Sequence, residues 1–193
     1  MRMNVAIVLL LVGLAILFIG VGCEVSEGSL ELCASPVIVE EEHFKIYDMG
    51  ESNYRYIIYN NNGEIMMEDT HYRVTPSISY IEENVIQVTL SAGVDTFFRI
   101  YYDLANNRIS EVYPSPIAEK YGKVVCFDYS DSSSLLIIRD MFEKGLIYKK
   151  VDLDVSPAIA PIIQAEFLAE DSLYVKYLSG ASFEEKSITI ELY

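Results

Sequence analysis

The chain has 193 residues, 51% of them hydrophobic, and carries 14 Lys+Arg against 29 Asp+Glu, a formal net charge of −15. That balance excludes nucleic-acid binding, whose affinity comes from cation–phosphate contacts. It opposes docking on anionic lipid headgroups and favours a basic partner.

From Val5 to Gly22 the sequence reads VAIVLLLVGLAILFIGVG, without charge or proline. A helix of that length just spans a hydrocarbon core of about 30 Å at about 1.5 Å per residue. It is apolar all round, which speaks against a buried amphipathic helix. Arg2 precedes it and Glu24, Glu27 and Glu31 follow. The positive-inside rule then expects the N-terminus in the cytoplasm and the bulk outside. Three outcomes fit: lipidation at Cys23, an uncleaved single-pass anchor, or a cleaved and released chain. IGVGC looks like a bacterial lipobox with Cys23 as the lipid attachment point, although Gly20 stands where Leu or Val is usual. Residues 1–22 are thus expected to be a signal or anchor, 23–35 a polar spacer, and 36–193 one extracytoplasmic domain. The cysteines Cys23, Cys33 and Cys126 are too few for a disulfide framework. Cys126 reads as a small buried hydrophobe.

Beyond Cys33 the pattern takes strand period. Strands are expected at 43–49, 54–60, 64–74, 77–81, 85–91, 96–103, 108–113, 123–129, 134–140, 146–154, 164–169, 172–179 and 186–192. The connections NNNG (60–63), ANN (105–107) and EKG (143–145) hold Asn and Gly that tolerate positive φ. Such short links join antiparallel neighbours, because parallel strands need long crossovers. SPIAEKYG (115–122) and SPAIAPII (156–163) have room for one turn at most. Prolines at Pro36, Pro76, Pro114 and Pro157 open units of about forty residues, each a meander of three or four strands. The expected fold is all-β, with four antiparallel meanders in a propeller-like or curved open arrangement and a β-sandwich as the alternative.

Fifteen tyrosines and no tryptophan mark the composition. In YRYIIY, Tyr54 and Tyr56 share one strand face with Ile58, while Tyr59 lies on the other. Tyr54, Tyr56, Tyr59, Tyr101 and Tyr102 are the candidate interaction surface, since tyrosine is enriched at interfaces. The competing reading is packed sheet positions with wet hydroxyls. His43 follows Glu40, Glu41 and Glu42, but His71 lies far off on another strand, so no metal is expected there. DYSDSSS (128–134) lacks the glycine and closing glutamate of a calcium loop and reads as a hairpin tip. No nucleophile elbow, phosphate-cradling loop or dinucleotide fingerprint occurs, and no cofactor is expected.

The blocks SISYIEENVIQVTLSAG (77–93) and AEFLAEDSLYVKYLSGASFEEKSITIEL (165–192) resemble a group of small, membrane-tethered extracytoplasmic bacterial proteins. The group has no assigned activity; the resemblance implies a bacterial origin and an address outside the cytoplasmic membrane. The expected function is a tethered binding module for a protein or glycan, one form being an immunity-type antagonist. The alternatives are a cell-envelope or polysaccharide hydrolase working with acidic residues and an assembly subunit pairing through an edge strand such as SITIEL.

Overall fold

A computed structural model describes residues 35–93, 96–128, 135–156 and 161–193. The apolar segment at 5–22, Cys23, Cys33, Pro157 and most of DYSDSSS lie outside the described residues. Among the described residues no helix is long and apolar enough to cross a membrane.

The described chain is all-β and forms four antiparallel sheets in sequence order. The first holds β1 (Val37–Glu41), β2 (Phe44–Asp48), β3 (Asn53–Tyr59) and β4 (Ile65–Tyr72). The second holds β5 (Ser77–Glu82), β6 (Val85–Ser91), β7 (Phe97–Asp103) and β8 (Arg108–Ile109), with β9 (Tyr113–Pro114) pairing beside β7. The third holds β10 (Ala118–Lys120), β11 (Lys123–Asp128), β12 (Leu135–Asp140) and β13 (Ile147–Asp152). The fourth holds β14 (Ile162–Ala169), β15 (Ser172–Ser179) and β16 (Glu184–Glu191). Within each sheet strands pair with their neighbours in sequence, as short connections require, except β9, which pairs with β7.

Proline punctuates the sheets, though at two boundaries it is not the expected residue. Pro36 and Pro76 directly precede β1 and β5. Pro114 instead ends β9, and Pro116 leads into β10. Pro161 directly precedes β14. Proline has no N–H for a ladder interior, so it occupies strand entrances or sparsely paired edges. Two further expectations change. The strand at 108–113 breaks into β8 and β9, because the Ser110 hydroxyl accepts the Tyr101 N–H at 2.9 Å where a ladder carbonyl would stand. SPIAEKYG contains β10, which turns into β11 through Tyr121 and Gly122, both at positive φ. That is the type I′ geometry usually filled by Asn-Gly, and tyrosine at its first position hides it.

Strand alternation sends successive residues to opposite faces, and three apolar clusters lie between successive sheets. Tyr56 and Ile58 of β3 meet Ile86, Val88 and Tyr102 of the second sheet. Val85 and Tyr101, one residue along on the same strands, meet Val124 and Met141 of the third. Val125, Leu136 and Ile138 then meet Phe167, Leu173, Val175 and Ile190 of the fourth. The second and third sheets are therefore packed on both faces. This is why their strands read as continuous apolar runs.

The first and fourth sheets have one face in these clusters and one dressed with ion pairs. On the first, Lys45 meets Glu40 at 2.6 Å and Arg55 meets Glu68 at 2.7 Å. Arg55 also lies 5.3 Å from the centre of the Tyr47 ring. Beneath these side chains Ile57 is 4% exposed. On the fourth, Lys176 meets Glu185 at 2.6 Å. Long charged side chains cover apolar stems while keeping their heads in water. Such polar outer faces are what terminal repeats of a stacked array need.

The first hairpins of the four sheets are tied in a row. His43 Nδ1 lies 2.9 Å from the Tyr80 hydroxyl. The Gly122 N–H donates to Glu82 at 3.4 Å. Lys123, buried in the third sheet, reaches Glu170 of the fourth at 3.6 Å and lies 5.0 Å from the centre of the Tyr148 ring. Tyr121 meets Phe167 edge to face.

Candidate cleft at the junction of three sheets

Arg99 is the one cation in the aromatic strand FFRIYYD. Period-two alternation places it on the same face as Phe97 and Tyr101, the face that meets the third sheet. A charge there must find a partner or carry a large desolvation cost. The partner comes from β10: Arg99 Nη1 donates to Glu119 Oε2 at 2.7 Å, with both side chains mostly buried. The guanidinium also lies 4.9 Å from the centre of the Phe97 ring, a cation–π contact. Pro116 and the Tyr121–Gly122 turn keep β10 short and fix where Glu119 stands.

β10 borders β14, and together with Arg99 these strands line a cleft of about 410 Å³. Its walls are Ile117, Ala118, Glu119 and Lys120 on one side and Ala165, Glu166 and Phe167 on the other. Burial pushes the Glu119 carboxyl up, and the charge and hydrogen bond of Arg99 oppose that shift. Burial also raises the Tyr101 hydroxyl, helped by the negative charge of Glu119. Lys120 Nζ rests 4.8 Å from the centre of the Tyr121 ring. Glu166 has no ion-pair partner among the described residues. Chemically the cleft offers a mostly polar surface around a fixed internal ion pair, with one exposed ammonium (Lys120) and one exposed carboxylate (Glu166) beside it.

The tyrosines singled out in the sequence lie elsewhere. Tyr56, Tyr101 and Tyr102 are fully buried between sheets, so they present no surface. The reason is structural: β7 is covered on both faces, and Tyr56 is on the covered face of β3. Tyr54 and Tyr59 are half-buried, on opposite faces of β3. The Tyr56 and Tyr102 hydroxyls stand close enough to each other and to Asp69 to affect one another's ionisation, but neither reaches hydrogen-bond geometry. Their hydroxyls are dry rather than wet.

The two histidines do not converge. His43 is engaged by Tyr80, and His71 Nε2 lies 3.0 Å from the Ser91 carbonyl oxygen. His43 lies in the β1–β2 turn and His71 on β4, which is separated from β2 by β3. Among the described residues no group of three or more His, Cys, Asp or Glu is placed to hold a metal. Cys126 is half-buried beside the cluster between the second and third sheets, and burial pushes its thiol up to about 11. That makes it a poor nucleophile at neutral pH.

The cleft residues Arg99, Glu119, Lys120 and Glu166 are absent from the sequence-based candidates. One signal was present: a single arginine in the middle of an aromatic strand. The partner was not visible, because Glu119 lies in a segment that reads as a turn. No protein-family model matches the chain, and no curated protein sequence matches it.

Proposed function

We propose that the chain is a binding module, tethered outside a bacterial cytoplasmic membrane by its N-terminal segment, that engages a protein or glycan through the cleft between β7, β10 and β14. The supporting observation is the cleft itself, where three sheets converge on the mostly buried Arg99–Glu119 pair. Ligands bind in concave sites where a few fixed polar groups set orientation, and the Arg99–Glu119 pair is such a group. The outer faces of the first and fourth sheets carry ion pairs, as terminal faces of a stacked array do. An immunity-type antagonist of a secreted toxin fits this reading, as does attachment by lipid at Cys23 or by a single span.

One observation favours a hydrolase: Glu119 and Glu166 line the same cleft, and glycosidases work with two facing carboxylates. Glu119, however, is held by Arg99 at 2.7 Å. A carboxylate so engaged is a poor nucleophile or proton donor, so binding is the better reading.

Site-specific photo-crosslinking in cells tests it. The full chain would carry a photoreactive phenylalanine in place of Ile117 or Lys120 in the cleft, or in place of Tyr59 or Lys176 on the outer faces. The expected outcome is discrete adducts from the cleft positions and none from the outer faces. Adducts from the outer faces alone, or none from the cleft, would contradict the proposal.

A further inference from the structure

We infer that the free edge of β16 is a second binding site, which takes an extended segment of a basic partner protein as an added β-strand. Sheet edges present unpaired backbone groups that invite another strand, and folded proteins blunt them with bulges, charges or short length. Every other sheet edge among the described residues is blunted. β8, β9 and β10 span only two, two and three residues. β1, β5 and β14 carry register breaks. β4 and β13 each carry a break near one end, with Glu68–Asp69 or Lys149–Lys150 in mid-strand. β16, in contrast, pairs with β15 through all eight residues without a break. Its charges stand towards its ends and leave Ser187, Ile188, Thr189 and Ile190 as an uncharged, mostly β-branched run. No described strand covers its far side.

The ladder fixes which backbone groups are free. The Leu192 N–H donates to the carbonyl of Asp171, which directly precedes β15, at 2.9 Å. In antiparallel sheets successive residues turn their N–H and C=O groups to opposite sides of the strand. Ile188 and Ile190 therefore bond to β15, whereas Glu185, Ser187, Thr189 and Glu191 turn these groups outwards. Leu178, opposite Glu185, agrees: its N–H and C=O bond to Pro161 and Ser156, on the side away from β16. Ile188, 37% exposed near buried Ile190, is the apolar spot that an added strand covers. The sheet sets the charge of the partner. Residues 162–193 hold six acids and two lysines, and Lys176 is already engaged by Glu185. A cationic segment is steered to this edge, whereas a second copy of the chain brings the same negative charge. β16 and β14 are opposite edges of the fourth sheet, so this site stands independently of the cleft.

The test titrates the isotopically labelled full chain, in neutral detergent micelles, with the peptide acetyl-KVTVTVK-amide, followed by NMR and amide hydrogen exchange. In an antiparallel pairing its lysines and threonines fall opposite Glu185, Ser187, Thr189 and Glu191. The peptide should bind saturably and slow exchange at Ser187, Thr189 and Glu191 by about tenfold or more. Ile188 and Ile190, already bonded to β15, should change little. The acidic analogue acetyl-EVTVTVE-amide should bind about tenfold more weakly. Methylating the two threonine nitrogens of the basic peptide removes ladder donors and should abolish binding. Thr189→Pro removes an N–H that faces the free edge and not β15, so it should abolish binding while nearly keeping the urea midpoint. Should that variant unfold, the methylated peptide decides alone. Binding that survives methylation, protection without a period of two, or no binding of the basic peptide would overturn the inference. Equal binding of the acidic peptide would overturn the basic assignment. Pairing of the chain with itself through β16, read by sedimentation and lost in Thr189→Pro, would overturn it in favour of a second copy.

Discussion

Replacing Tyr102 with alanine should cost about 3–5 kcal/mol, a large part of a typical stability of about 5–15 kcal/mol. Tyr102 is fully buried between the first and second sheets, packed with Tyr56, Ile58, Ile86 and Val88. Truncation opens a ring-sized void that neighbours fixed in two sheets cannot fill. Phenylalanine at the same position should do the opposite. The Tyr102 hydroxyl is buried without a hydrogen-bond partner among the described residues, and removing an unsatisfied polar group from a core relieves its desolvation cost. Tyr102→Phe should therefore stabilise by about 1 kcal/mol. Urea unfolding of the full chain in neutral micelles, read by circular dichroism, would measure both. A loss of stability in the phenylalanine variant would mean that the hydroxyl has a partner.

Alkaline pH should unfold the protein through the same residues. Burial, then the charge of Asp69, pushes Tyr56 up to about 12. Burial pushes Tyr113 up to about 12 as well, and it also raises Tyr101 and Tyr102. The folded state holds each phenol neutral, while the unfolded chain releases its protons near an ordinary value of about 10. The stabilisation is therefore complete below about pH 10 and is lost as pH rises through the folded values. Each such group lowers stability by about 1.4 kcal/mol per pH unit in that window. Tyr56 alone accounts for about 3 kcal/mol between about pH 10 and 12. The four together would exhaust a marginal stability inside that range. The check is to follow urea midpoints and tyrosinate absorbance together from about pH 8 upward. Buried phenols should ionise only as circular dichroism collapses. Complete ionisation near pH 10 with the fold intact would contradict their burial.

The class of fold was legible in the sequence because strand period and short turn-rich links are local signals. Strands β6 and β15 carry the boundaries expected from VIQVTLS and SLYVKYLS. The repeat was legible through Pro36 and Pro76, but Pro114 and Pro157 misplace later boundaries because a second proline follows each. β1 was missed because VIVEE is short and half charged, and β10 because its turn uses tyrosine where asparagine is usual. What could not be read is which faces meet. Alternation tells that Tyr101 and Tyr102 point oppositely, yet not that a sheet lies on each side. For the same reason tyrosines that look like a surface are core. The pairing of Arg99 with Glu119 spans two sheets, and no local spacing encodes it.

The account depends on β7 of the second sheet and β10 of the third meeting at Arg99 and Glu119 to build the cleft. A double-mutant cycle with Arg99→Met and Glu119→Gln, measured by urea unfolding of the full chain, tests that most directly. Each single variant leaves a mostly buried group unpaired, so the double variant should be less damaged than the sum of the two, with a coupling of about 1–3 kcal/mol. A coupling near zero would mean that the two side chains do not meet and that the cleft is not built as described.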